Sequence, residues 1–183
     1  MIRWLSLFAG VLVCVGITAG QARCAGPDEI SGELQFSHSA PDPSSATLCL
    51  WPIPGLAFND VHGEFDGQAT GIGSFTGQGT ADTCVYFTPV SGVYAQVSGS
   101  FSWETEDGRT LSGSFCGVDK APFLFAPDGQ PLAFEITLLV VFRDTQGRFA
   151  GLAIADGVDD PFGVISQDPA AAGVTASICG FVF

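Results

Sequence analysis

The chain has 183 residues, of which 46% are hydrophobic and 14% charged, with nineteen acidic against six basic side chains and a formal net charge of −13. A surface of that sign repels nucleic-acid phosphates and anionic lipid headgroups, so neither is an expected partner, and its ordinary effect is to keep a protein dissolved. The length suits one domain that buries about two thirds of the surface its unfolded chain exposes, with no metal or second subunit needed to complete the core.

The first segment reads MIRWLSLFAGVLVCVGITAGQARCAG: Arg3, an apolar run from Trp4 to Ile17, then the small residues Gly20 and Ala22. That layout predicts a secretory signal peptide over 1–22, cleaved between 22 and 25, and a mature domain over 23–183. The apolar run falls short of the roughly 20 residues a spanning helix needs, so no stable membrane span is expected after signal removal; a retained anchor is the alternative. Arg23 stands before Cys24 where a lipidation signal needs a small residue. The expected location is therefore secreted or periplasmic. Cys14 belongs to the signal, leaving Cys24, Cys49, Cys84, Cys116 and Cys179 as disulfide candidates of open connectivity, with Cys24 at the processing edge either the odd thiol or paired. No CxxC or Cys/His cluster at zinc spacing competes with that reading.

Beyond Asp28 the pattern is one of short alternations rather than of 3.6-residue periods. A first strand over Asp28 to Phe36 places Ile30, Gly32, Leu34 and Phe36 on one face and Glu29, Ser31, Glu33 and Gln35 on the other. Ser37 to Asn59 reads mostly as loop with a short edge strand near Thr47 to Leu50, because the prolines of Trp51-Pro-Ile-Pro-Gly55 lack ladder donors. From Val61 to Asp82 the odd positions are glycine, alanine, valine or phenylalanine, and the even ones are polar except Ile72. A phosphate-binding loop would instead lead into a helix at fixed glycine spacing, and a calcium nonapeptide repeat needs aspartate near the place of Ser74. This is a long curling strand with a bend or turn at Gly71 to Gly73, and unbroken parity requires a kink or an odd-length loop. Its glycines let the sheet curl toward closure while the rings fill the space they leave.

A hairpin follows over Phe101 to Phe115. A three-residue loop of Glu106, Asp107 and left-handed Gly108 sets Thr105 opposite Arg109, Trp103 opposite Leu111 and Phe101 opposite Gly113, with the apolar partners on one face. Leu132 to Phe142 is the most apolar strand, a turn spans Asp144 to Gly147, and Arg148 to Ala155 forms the next strand. Asp156 to Ala172 reads as a loop-rich connection before a final strand over Val174 to Phe183. The total of about eight to ten strands predicts an all-β, antiparallel, disulfide-stapled barrel of about eight strands, with a β-sandwich as the runner-up.

Three landmarks, Gln68-Ala-Thr-Gly-Ile-Gly-Ser-Phe-Thr76, Phe101-Ser-Trp-Glu-Thr-Glu-Asp-Gly-Arg-Thr-Leu111 and Gln146-Gly-Arg-Phe-Ala-Gly151, stand in an order and spacing that resembles uncharacterised secreted bacterial proteins. Their fold is similar to the allene oxide cyclase and dirigent β-barrels. The resemblance covers about Val61 to Gly157 and implies a barrel. The family-like segment often reads Thr-His-Leu-Gly where this chain has Thr70-Gly71-Ile72-Gly73, so a role for that histidine is absent, and no catalytic residue of the cyclases carries over.

Candidate chemistry is sparse. The two histidines, His38 and His62, are accompanied by no GxSxG nucleophile elbow. His62, Glu64 and Asp66 share a strand face with neighbours about 7 Å apart, a spacing that suits a metal or acid–base pair but reads first as a solvated outer face. Asp156, Asp159 and Asp160 match no full calcium ligand set and read first as an acidic turn. No metal and no cofactor is expected. Phe65, Phe75, Phe101 and Trp103, and also Trp51, are either core or the lining of a site for a sugar or an apolar ligand. The favoured expectation is a non-catalytic binding or structural module for a small apolar ligand or an extracellular protein partner. The alternatives are a cyclase-like barrel enzyme and, from the terminal Cys179-Gly-Phe-Val-Phe183, a small outer-membrane barrel, against which count the scarcity of tyrosine and the polar outward faces.

Overall fold

In the computed structural model, residues 29–50, 53–88, 92–121, 133–147, 150–161 and 172–183 are described. The expected signal peptide, Cys24 and Trp51 lie outside them. Nine strands follow in order: β1 (Glu29–His38), β2 (Thr47–Leu50), β3 (Pro54–Ala69), β4 (Gly73–Thr88), β5 (Gly92–Thr105), β6 (Thr110–Ala121), β7 (Phe134–Asp144), β8 (Ala150–Asp160) and β9 (Ala172–Val182). A single 3₁₀ turn at Pro43–Ser45 is the one helical element among the described residues.

β3 to β9 form an antiparallel meander, and β1 closes it by pairing with β9 on one side and β3 on the other. The result is a closed eight-stranded barrel with β2 as an extra strand. β1 and β2 share one edge of β3, β1 along 63–69 and β2 along 54–57. A register shift between Phe58 and Val61 separates these two halves, with Asp60 at φ 56° and its amide donating to Asp82 Oδ1 at 2.9 Å. The extra residue of such a bulge swaps which parity faces inward.

The alternation in each strand decides the core. Leu34, Phe36, Phe65, Phe75, Val97, Phe101, Trp103, Leu111, Phe115 and the even positions Ile136 to Phe142 all point inward and form one buried cluster. Glycines in the wall give these rings their room: a Cβ on Gly67 would lie 2.4 Å from Phe75 Cζ, and one on Gly151 would lie 2.2 Å from Phe142 Cζ. The long Val61 to Asp82 stretch is a hairpin whose Ala69 pairs with Gly73, leaving the odd-length loop Thr70-Gly71-Ile72 that unbroken parity requires. Ile72 does not share the polar face of its even neighbours; at the loop centre it folds under the barrel and is buried. The hairpin at 101–115 has the expected register, with Trp103 opposite Leu111, Phe101 opposite Gly113, and Gly108 at φ 79°.

Two segments read as loop are strand instead. Pro54 to Asn59 belongs to β3, tolerated because Pro54 is the first residue of its strand. Asp156 to Asp160 completes β8, so these aspartates alternate across a strand rather than crowd a turn.

Cys49 on β2 and Cys84 on β4 form a disulfide with Cα atoms 6.2 Å apart, crossing the outer face of β3 where Gly55 and Ala57 are small. Cys116 and Cys179 are also disulfide-bonded. They stand in one outward row with Leu139 and Ile154 across β6 to β9, about three strand spacings or roughly 14 Å apart, too far to bridge each other.

Candidate functional site

The two ends of the barrel differ. At one end lie the tight turns β3–β4, β5–β6 and β7–β8, and Ile30, Ile72, Phe75, Trp103, Leu111 and Phe142, each 3% exposed or less, plug it. Trp103 is stacked between Phe75 and Phe101, with ring centroids 4.4 and 4.0 Å away. The β5–β6 turn is held by Thr105, whose amide donates to Arg109 O at 2.9 Å, and by the Arg109–Asp107 ion pair at 2.7 Å. Thr105 and then Arg109 keep the Asp107 carboxyl below its usual range by hydrogen bonding.

At the other end the interior opens as a cavity of about 360 Å³. Its floor is Trp103, Phe101, Phe65 and Phe115; its walls include Val97, Ile136, Leu138 and Val140; its mouth includes His38, Leu56, Phe58 and Phe87. The volume falls within the range of small-molecule sites, which are typically 300–1,000 Å³. Because of the β3 bulge, Leu56 and Phe58 face the cavity from even positions while Val61 and Phe65 face it from odd ones. Leu48 and Leu50 of β2 lie opposite Leu56 and Pro54, and at 76% and 78% exposed they make an apolar apron beside the mouth.

Of the aromatic residues picked out in the sequence, Phe65, Phe101 and Trp103 line this cavity. Phe75 does not: it lies against the far face of Trp103, inside the plug. His62, Glu64 and Asp66 sit exposed on the outer face of β3, and no group of three metal-ligating side chains occurs among the described residues.

The polar chemistry of the cavity comes from Asp119 on β6 and Asp159 on β8, which flank β7 and meet across its inner face. Their carboxyls lie close enough to share a proton. Asp119 is 2% exposed; Asp159 is partly exposed as a residue, but its Oδ1 is buried. Among the described residues no other group donates to the Oδ1 atom of either. Trp103 Nε1 on the cavity floor also lacks a partner, whereas away from the cavity Thr137 Oγ1 donates to Asp156 Oδ1 at 2.7 Å and Asp144 Oδ1 accepts from the Gln146 amide at 2.6 Å.

Burial dominates the titration of the pair, because a carboxylate stripped of water is disfavoured against its neutral form. Desolvation and the neighbouring Asp159 push Asp119 well above the usual carboxylate range. Asp159 is pushed up to about 6 by desolvation, moderated by the proton Asp119 shares with it and by the His38 charge, with Asp160 acting the other way. Like-charged carboxyls in contact hold a proton between them, an arrangement able to bind a cation or a hydrogen-bond donor and to deliver a proton.

Asp119 is the residue that sequence reasoning missed, and Asp159 was read only as part of an acidic turn. A signal was present. Leu111, Gly113, Phe115, Gly117 and Asp119, and likewise Gly151, Ala153, Ala155, Gly157 and Asp159, are inward faces that are apolar or small up to a carboxylate near the strand end.

Comparison with known proteins finds no matching family model, no matching curated protein and no matching solved structure. The functional reading therefore rests on the cavity.

Proposed function

We propose that the protein is a secreted or periplasmic binding protein that holds a small, largely apolar ligand inside its barrel, admitted at the end opposite the plug. The observation that carries this reading is the open apolar cavity of about 360 Å³ on which two buried carboxyls converge. The apolar apron of Leu48 and Leu50 supports the same direction of entry. The Cys49–Cys84 disulfide accords with an oxidising compartment, and no helix among the described residues is long and apolar enough to cross a membrane.

The outward faces of β3 to β5 carry Glu64, Asp66, Gln68, Thr76, Gln78, Ser98, Ser100, Ser102 and Glu104. A lipid-facing barrel needs an apolar band there, and a polar interior, so this distribution weighs against the outer-membrane reading.

Titration with the neutral dye N-phenyl-1-naphthylamine tests the reading. Saturable fluorescence enhancement is expected for the native protein and its loss in Ala95→Phe, which fills the cavity wall, with circular dichroism confirming that the variant is folded. Absence of saturable binding to the native protein overturns it.

A second reading has its own support in the proton held between Asp119 and Asp159, near an ordinary working pH, which suits general-acid catalysis in a cyclase-like reaction. Variants Asp119→Asn and Asp159→Asn that bind a substrate normally but no longer convert it establish that reading; native protein that releases every bound compound unchanged removes it.

A further inference from the structure

We propose that the head group recognised in this cavity is a protonated amine, an ammonium ion on a small apolar body, seated between Asp119 and Asp159. The inference rests on the binding role proposed above and adds the chemistry of the ligand.

The two unpartnered Oδ1 atoms decide it. Each is a buried acceptor, and a buried acceptor left empty costs about 1–3 kcal/mol, more where the group is charged. An ammonium group carries three N–H donors and therefore serves both oxygens at once, whereas a hydroxyl has one donor and serves one. A carboxylate or phosphate ligand has no donor to offer and meets the same sign of charge, in a chain whose net charge is −13. Among the described residues a divalent cation finds too few ligands: beside the pair, their lining of the cavity is mostly apolar, and calcium needs six to eight oxygens.

The charged and titratable groups that bear on the pair are His38 from β1 and Asp160 from β8, the first favouring ionised Asp159 and the second opposing it. The geometry also orders the ligand. With the head at the carboxyls near the ends of β6 and β8, the apolar body extends toward Phe65, Phe101 and Trp103 on the cavity floor.

Three probes of one chain length separate this inference from the binding role itself: n-octylamine, n-octanol and octanoate, titrated calorimetrically into the native protein at pH 7.5 and pH 5. At pH 7.5 octylamine should bind at least about ten-fold tighter than octanol, as a charge-assisted hydrogen bond outweighs a neutral one, and octanoate weakest. Octylamine stays protonated at both pH values, so its advantage should shrink at pH 5, where Asp159 takes up its proton, while octanol is unchanged. The Asp119→Asn/Asp159→Asn variant should lose the preference for octylamine over octanol. Equal affinity for octanol and octylamine at pH 7.5 overturns the amine inference and leaves the cavity reading standing. Calcium chloride alone binding at the pair and displacing octylamine also overturns it. No binding of any of the three probes overturns both.

Discussion

Replacing both cavity carboxyls by their isosteric amides, Asp119→Asn/Asp159→Asn, should make the protein more stable at neutral pH and leave its stability near pH 4 almost unchanged. The sign follows from proton linkage. The folded-state value of Asp159, about 6, lies above its ordinary 3.8, so the folded state holds this proton more tightly than the unfolded chain does. That preference favours folding at and below pH 3.8 and is lost as the pH rises toward 6 and beyond. One pKa unit corresponds to about 1.4 kcal/mol, so between pH 4 and pH 7.5 the native protein loses about 2 to 3 kcal/mol through Asp159 alone. Asp119 is shifted in the same direction and adds to the loss. For a chain of this size 1 kcal/mol moves Tm by about 2–4 °C, which makes the effect roughly 4–12 °C. The assay is thermal and urea unfolding of both proteins across pH 4 to 7.5, read as the difference between them, since the remaining carboxylates are common to both and cancel. A native-minus-variant difference that is flat over this range, or that favours the native protein as pH rises, refutes the claim that the buried pair shares a proton.

Two further outcomes concern the scaffold. Gly67→Val should destabilise by at least about 2 kcal/mol in urea, because its Cβ would fall 2.4 Å from Phe75 Cζ and 2.6 Å from Glu33 O. Gly73→Val, at φ 85° in open space, and Gly108→Ala, at φ 79°, should each cost about 1–2 kcal/mol from backbone conformation alone, and tolerance of both substitutions would remove the turn account. Cys49→Ser/Cys84→Ser should lower stability by about 3 to 4 kcal/mol on the chain-entropy estimate for a sequence separation of 35; an unchanged urea midpoint would show that β2 unfolds independently of the barrel.

Much of this scaffold was legible because its determinants are local. The Glu106-Asp107-Gly108 loop and its register follow from one glycine and from matching apolar faces, while parity over 61–82 leaves open a kink or an odd-length loop, of which the structure has the loop, between two strands rather than within one. Closure was harder to read, since the pairing of Phe36 with Phe65 joins β1 and β3 across the β2 excursion, and no short-range pattern announces it. The β3 bulge was also invisible: Asp60 at positive φ looks like any polar residue before a strand, yet it turns Leu56 and Phe58 into the cavity. Asp156 to Asp160 was misread because a run dense in aspartate resembles a turn, whereas strand pairing with β9 continues through it as far as Gly173.

The placement of the carboxyl pair bears on whether it is structural or functional. A buried polar group that serves the fold has its hydrogen bonds completed by the fold, as Thr105 and Asp144 do at the turns of the plugged end. Asp119 and Asp159 complete only part of theirs, and they sit where the barrel is open rather than where it is packed. The sealed end has unpartnered atoms of its own, Glu29 Oε2 and Trp103 Nε1, so what sets the open end apart is that two acids meet in one cavity. Replacing the pair by leucine would give a better core by every local criterion. Two desolvated acids that face one open cavity are therefore the groups that a ligand bringing its own donors would satisfy, as the proposed binding role requires.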